Sequence, residues 1–303
     1  MSSSALRVRN QKAPETASSL LSAAERLLRS CRAPEPKATA EYLLAGVLGV
    51  ERTELVLLGN VPAAAGRKYR RLAAAVGRRR LPLAYALGSQ DFMGLDLRLR
   101  PGAVLIPRPE TESLVELAVR EIKLSWSAGA KLTIADIGTG SGNIALALRR
   151  FLGDAYSLEI WATDCSSAAL SVARKNGRRL NDLGSIRWVK GPLFERLPSK
   201  IRFHAIVSNP PYIAEGDWAR LSPEIKRWEP KSALAAGPDG LAVIRPLIHE
   251  APRRLCPGGL LAFEFGRGQA RTIESLLKQN GFHSLKLMKD YQGFFRVVLA
   301  RAS

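Results

Sequence analysis

The segment LTIADIGTGSGN, residues 132–143, decides the fold. Its first half is a short apolar run with the residue types of a buried strand, and it gives way to glycine at every second position, Gly138, Gly140 and Gly142. Apolar residues at helical spacing follow in NIALALRRFLG, residues 143–153, so the order is strand, glycine turn, helix. Glycines at alternate positions let the backbone turn sharply and approach a ligand without Cβ clashes, and the free amides at the helix start face an anionic group. The next strand, SLEIWATD at 157–164, ends in Asp164, whose carboxylate can accept hydrogen bonds from two vicinal ribose hydroxyls. The combination predicts a nucleoside-cofactor site built by Gly138, Thr139, Gly140, Ser141, Gly142 and Asp164.

Outward from this segment, helices and strands alternate. A helix over SSAALSVARKNGRRL precedes strands IRWVKG and FHAIVS, a helix near 240–255 precedes strand GGLLAFEFG, and helix QARTIESLLKQNG precedes the closing pair HSLKLMKD and FFRVVLA. Such alternation predicts an α/β fold with a mostly parallel sheet, and the short link in the closing pair makes one terminal strand antiparallel. Upstream, residues 16–85 carry apolar positions three and four apart, as in Leu20, Leu21, Ala24, Leu27 and Leu28, with Pro34, Pro36 and Pro62 between segments. A helical bundle is expected there. DFMGLDLRLRPGAVLIP alternates apolar and polar residues around a Pro101-Gly102 turn and reads as a β-hairpin linker. The expected domains are therefore 1–85, 86–108 and 109–303.

Composition narrows the function classes. At 303 residues, 46% hydrophobic and 24% charged, the chain has the balance of a soluble globular protein with room for two domains. No apolar run approaches the roughly 18 residues of a membrane span, and no hydrophobic secretory stretch opens the chain, so a cytoplasmic protein is expected. Arg7, Arg9 and Lys12, with Ser2, Ser3 and Ser4 and no acid before Glu15, permit a second reading of the N-terminus as a transit segment. Cys31, Cys165 and Cys256 lack metal or disulfide spacing, the three histidines are scattered, and no metal is expected. The net charge of +19 is spread over both halves and points to polyanionic surroundings such as RNA or the ribosome.

A second motif closes strand FHAIVS: Asn209-Pro210-Pro211-Tyr212. Consecutive prolines remove two amide donors and fix φ near about −65°, so the loop is a stiff array of acceptors. The Asn209 side-chain oxygen and the Pro210 carbonyl can each accept one hydrogen of a planar NH2 group, which Tyr212 can stack on or wall in. An amide nitrogen is a poor nucleophile because its lone pair is delocalised. Hydrogen bonds to both its N–H groups return electron density to nitrogen and aim it at an electrophile.

D-I-G-T-G-S-G, with Asp136 before the glycines, resembles motif I of class I S-adenosylmethionine methyltransferases; Asp136 would then shape the loop and Asp164 hold the ribose. With N-P-P-Y-I, L-I-P-R-P-E-T-E at 105–112, F-E-F-G-R-G-Q at 263–269 and D-Y-Q-G-F-F-R at 290–296, nearly the whole chain resembles the HemK/PrmC-type protein-(glutamine-N5) methyltransferases. The resemblance implies S-adenosyl-L-methionine as cofactor, and as partner a peptide-chain release factor recognised through the N-terminal helical domain. It also implies a monomer whose Asn209, Pro210, Pro211 and Tyr212 take the target glutamine, with Phe92 walling the pocket. Pro109, Glu110 and Thr111 would open a helix near the methionine end. One departure is Pro192, standing where the family usually has an Asp for the adenine amine; Leu193 and Phe194 are left to sandwich the ring, and weaker adenine recognition is expected. N-P-P-Y is shared with nucleic-acid N-methyltransferases, so methylation of an exocyclic amine of RNA or DNA is an alternative, and a non-catalytic basic binding protein is a third reading.

Overall fold

The computed structural model describes residues 15–182 and 184–303; the transit-segment reading of the N-terminus lies outside them. Two compact units divide the chain, the first ending at Leu87 and the second running Gly88–Ser303.

The first unit holds β1 (Glu15–Thr16), α1 (Ala17–Ser30), α2 (Pro36–Leu48), a 3-10 turn over Arg52–Leu57, β2 (Asn60–Val61), α3 (Ala63–Arg79) and α4 (Leu83–Leu87). The Thr16 hydroxyl accepts from the Ser19 amide and so caps α1, which buries Leu20, Ala24 and Leu28 at i, i+4, i+8. Tyr69 of α3 is buried among these helices and donates its hydroxyl to the Ala40 carbonyl at 3.2 Å. β1 and β2 pair antiparallel over two residues, too short a run to leave a period in the sequence.

The second unit opens with a hairpin, β3 (Ser89–Phe92) and β4 (Leu95–Arg98), paired from Ser89↔Arg98 to Phe92↔Leu95. The hairpin turn is therefore Met93-Gly94, at φ 53° and 76°, and not Pro101-Gly102, which forms a separate bend beyond β4. Two-residue hairpin loops of type I′ have positive φ at both central positions, a twist that matches the flanking strands. Gly94 supplies one freely, and Met93 is held in the other.

Then come α5 (Pro109–Ser125), β5 (Lys131–Ile137), α6 (Asn143–Leu152), β6 (Ser157–Asp164), α7 (Ser167–Arg179), β7 (Ile186–Lys190) and β8 (Phe203–Ser208). After α8 (Pro223–Trp228), α9 (Ile244–Arg254) leads into β9 (Leu255–Glu264), α10 (Ala270–Gln279), β10 (Phe282–Lys289) and β11 (Phe295–Ala302). The seven strands from β5 on form one sheet in the order β10-β11-β9-β8-β5-β6-β7. β11 opposes both neighbours, and the other strand pairs are parallel. The central strands are buried on both faces, which is why β5 and β8 read as continuous apolar runs. β10, at one edge, carries Lys286 and Lys289 and a break in register, features that discourage pairing with another chain. Strands run outward from β5 through β6 to β7, and the chain then returns to place β8 on the other side of β5. That reversal opens a crevice at the carboxyl ends of β5 and β8, where open α/β sheets bind ligands. Among the described residues no helix is long and apolar enough to cross a membrane.

Candidate active site

The glycine turn leaves β5 at the crevice with Gly138, Gly140 and Gly142 all at positive φ, 76°, 55° and 85°. They serve different ends. A Cβ at Gly138 would meet nothing within 4 Å, so this backbone borders open space, whereas one at Gly142 would lie 3.0 Å from Trp188 and 3.3 Å from Ala173. Gly142 thus lets α6 pack closely, while Gly138 and Gly140 border the cavity together with Thr139 and Ser141. Asp136 sits wholly buried behind the turn: its Oδ2 accepts from the Thr139 hydroxyl at 2.5 Å and the Ala145 amide at 3.1 Å, and its Oδ1 has no partner. Burial pushes its pKa up to about 7, against the pull of those two hydrogen bonds. Asp164 lines the cavity, with Oδ2 accepting from the Gly140 amide at 2.9 Å and Oδ1 from the Ser166 amide at 2.7 Å. Each oxygen keeps a lone pair for a further donor.

Asn209, Pro210 and Pro211 line the same cavity, of about 300 Å³. The Asn209 carboxamide is oriented: its Nδ2 donates to the Thr111 hydroxyl at 2.8 Å, which leaves Oδ1 as the acceptor. Thr111, in the first turn of α5, donates in turn to Glu264 Oε2 at 2.7 Å, and the Tyr212 hydroxyl donates to Glu264 Oε1 at 2.8 Å. Pro109 at the first helical position ends the extended segment before it and starts α5 where Thr111 meets Asn209. Glu264 is 1% exposed at the end of β9, and burial raises its pKa, opposed by the two hydroxyl donors. Burial and this carboxylate push the Tyr212 pKa above its ordinary value, so the phenol keeps its proton.

Other expected residues lie elsewhere. Tyr212 packs against the core that holds Phe263 and Phe265 and is not among the cavity-lining residues, and Phe92 is 1% exposed in the core shared with Leu95, Leu97 and Leu114. Leu193 lines the cavity at φ 43°, next to Pro192. Phe194 does not sandwich a ring there; it is fully buried in the core on the other sheet face, beside Phe203 and Ile206. Three residues carry structure that the sequence reading missed. Glu264 links Thr111 to Tyr212. Glu229, buried, pairs with Arg108 at 2.5 Å, tying the segment that begins at Pro230 to the one before α5. Asn176 of α7 donates to the carbonyls of Ser141 and Arg98 at 2.9 and 3.1 Å, fastening β4 to the glycine turn. A lone carboxylate in the apolar run LLAFEF was the available signal for Glu264.

Residues 19–88 match the PrmC N-terminal domain, and residues 134–229 match a methyltransferase domain. The release factor glutamine methyltransferase of Gloeobacter violaceus is 40% identical over 88% of this chain and 90% of that one. That of Bordetella pertussis is 41% identical over 86% and 93%. This chain belongs to the release factor glutamine methyltransferase family. A solved methyltransferase from Pyrococcus furiosus, 21% identical with a TM-score of 0.52 over 75% of this chain and 98% of that one, shares the fold. Within this family member, the matched methyltransferase domain spans both the glycine turn and Asn209.

Proposed function

We propose that the chain transfers a methyl group from S-adenosyl-L-methionine to the N5 amide nitrogen of the glutamine in the Gly-Gly-Gln motif of peptide-chain release factors. The observation that carries this reading is the Asn209 carboxamide, tied through Nδ2 to Thr111 so that Oδ1 is left to accept, with Pro210 lining the same cavity. Two acceptors on one rigid turn, Asn209 Oδ1 and the Pro210 carbonyl, fit a nitrogen bearing two hydrogens. The cofactor fits the neighbouring half of the cavity: Gly138 borders open space, Asp164 has lone pairs for a ribose, and Leu193 supplies an apolar wall. When bound, S-adenosyl-L-methionine supplies a methyl group activated on a sulfonium. Asp136 and Gly142 act behind the turn, shaping Gly138 to Ser141 from below.

The chain's residues do the rest by positioning. Asn209 Oδ1 and the Pro210 carbonyl hold the amide by its hydrogens, and Pro211 keeps the turn rigid. Tyr212 anchors the turn through Glu264. In the resting conformation Phe92 supports the hairpin from within the core, so walling the substrate would require the hairpin to shift. Pro192 brings no side-chain acceptor for the adenine amine, and weaker cofactor affinity follows from that.

Recognition of the release factor would fall to the helical unit, which matches the PrmC N-terminal domain. With such a substrate, the proposed setting is the cytoplasm and the proposed acting form a monomer. The +19 charge favours proximity to RNA or the ribosome, and it keeps an exocyclic amine of RNA as a second reading of the substrate. Incubating the protein with methyl-labelled cofactor and a release factor, the same factor with its Gly-Gly-Gln glutamine changed to alanine, or RNA decides between them. Label is expected in the unmodified factor alone; equal labelling of both factors, or label in RNA only, contradicts the proposal.

A further inference from the structure

We infer that Glu264 is a positioning residue which, acting through Thr111, fixes which end of the Asn209 carboxamide faces the substrate. The inference rests on the proposed amide methylation and adds what makes its acceptor dependable. A carboxamide has nearly the same shape after a half-turn that exchanges its oxygen and nitrogen. With the nitrogen toward the site, Asn209 would set a donor against the hydrogens of the substrate nitrogen.

The choice is made by counting protons. Ionised Glu264 only accepts, and each of its oxygens takes one hydroxyl hydrogen, from Thr111 at 2.7 Å and Tyr212 at 2.8 Å. Thr111 has a single hydroxyl proton, so once that is given to Glu264 it can only accept from position 209. Nδ2 is the group of Asn209 that can answer, at 2.8 Å, and Oδ1 is left for the substrate. A buried carboxylate at the end of an apolar strand is costly to fold around, and an apolar residue would be the more stable occupant. Its two hydroxyl partners, one reaching Asn209 and the other on the same rigid turn, account for its presence. Around it, Arg296 of β11 favours the ionised form and Glu110 of α5 the protonated one, while Arg108 acts on the Tyr212 side. A proton on Glu264 could be donated to Thr111, whose own hydrogen would then turn toward Asn209 and reverse the amide.

The test compares wild type with Thr111→Val, Thr111→Ser, Glu264→Gln and the double variant Thr111→Val/Glu264→Gln. Cofactor affinity is read by calorimetry, kcat by methyl transfer at saturating cofactor, and the Asn209 side-chain amide by NMR, assigned by its loss in Asn209→Ala. Thr111→Val should lower kcat about a hundred-fold, the scale of a small misplacement of a reacting group, with the Asn209 amide proton shifted and cofactor affinity within about twofold. Thr111→Ser should restore the proton's position and most of kcat. The acid limb of kcat should vanish in Glu264→Gln, and the double variant should be no slower than Thr111→Val alone, because both changes break one chain. An unshifted Asn209 amide in Thr111→Val, an unchanged acid limb in Glu264→Gln, or additive losses would overturn the inference. The NMR readout needs no substrate, so a wild type that transfers no methyl to release factor defeats the functional reading while the amide's orientation is still decided.

Discussion

Asn209 and Asp164 line one cavity, and the proposed reaction gives them separable work. On the proposed reading Asn209→Ala removes an acceptor for the reacting nitrogen, so kcat should fall by about two to three powers of ten, the scale seen when one aligned polar group is deleted. Cofactor affinity measured by calorimetry should barely change. Asp164→Ala should do the reverse, weakening cofactor binding with a smaller loss of saturated turnover. Asp136 makes a different prediction. Its pKa is raised to about 7 in the fold by burial, whereas the unfolded chain releases that proton near about pH 4. The native state therefore binds more protons across this window, and the group's contribution to stability is lost as pH rises from about 4 to about 7. Asp136→Asn cannot titrate, so urea denaturation should show it gaining on wild type between about pH 4 and about pH 7. Asn209 was legible because a polar residue before two prolines at the end of an apolar strand has no structural need to be there. Glu264 was overlooked because the partners that give it meaning, Thr111 and Tyr212, lie far from it in sequence and meet it only in the sheet.

At the scale of elements, the glycine turn is the most constrained piece. Gly142→Ala would put a Cβ 3.0 Å from Trp188 and 3.2 Å from Leu146 at φ 85°, combining overpacking with left-handed strain. A loss of about 2–4 kcal/mol is expected in chemical denaturation, against a smaller one for Gly138→Ala, where φ is similar but the space is open. Alternation of apolar runs and helical spacing was enough to place every strand from β5 to β11, because the two buried faces and the glycine punctuation leave strong local signals. The hairpin turn was misplaced because Pro101-Gly102 is the stronger turn pair by composition, while Met93 occupies a left-handed position that side chains seldom take. Pairing of β3 with β4 outweighs that local preference. Phe194 was likewise read as a cavity wall from its neighbourhood in sequence; Leu193, at positive φ, turns the chain so that Phe194 enters the core.

On the scale of the whole molecule, every residue lining the cavity, from Ala103 to Pro246, belongs to the second unit. A fragment spanning residues 88–303 should retain cofactor affinity within about threefold in calorimetry, yet methylate release factor far more slowly, since the helical unit is gone. Equal rates for fragment and full chain would move substrate recognition into the second unit. Net charge was plain from composition, but a charge count names no partner; the partner reading comes from family membership, and the proposed chemistry rests on the geometry at Asn209. That chemistry is tested most directly by mass spectrometry of the Gly-Gly-Gln peptide of a release factor incubated with S-adenosyl-L-methionine and either wild type or Asn209→Ala. One methyl group on the glutamine side chain with wild type, and next to none with the variant at equal cofactor occupancy, is the expected result. Methylation at another residue, or undiminished methylation by Asn209→Ala, would contradict it.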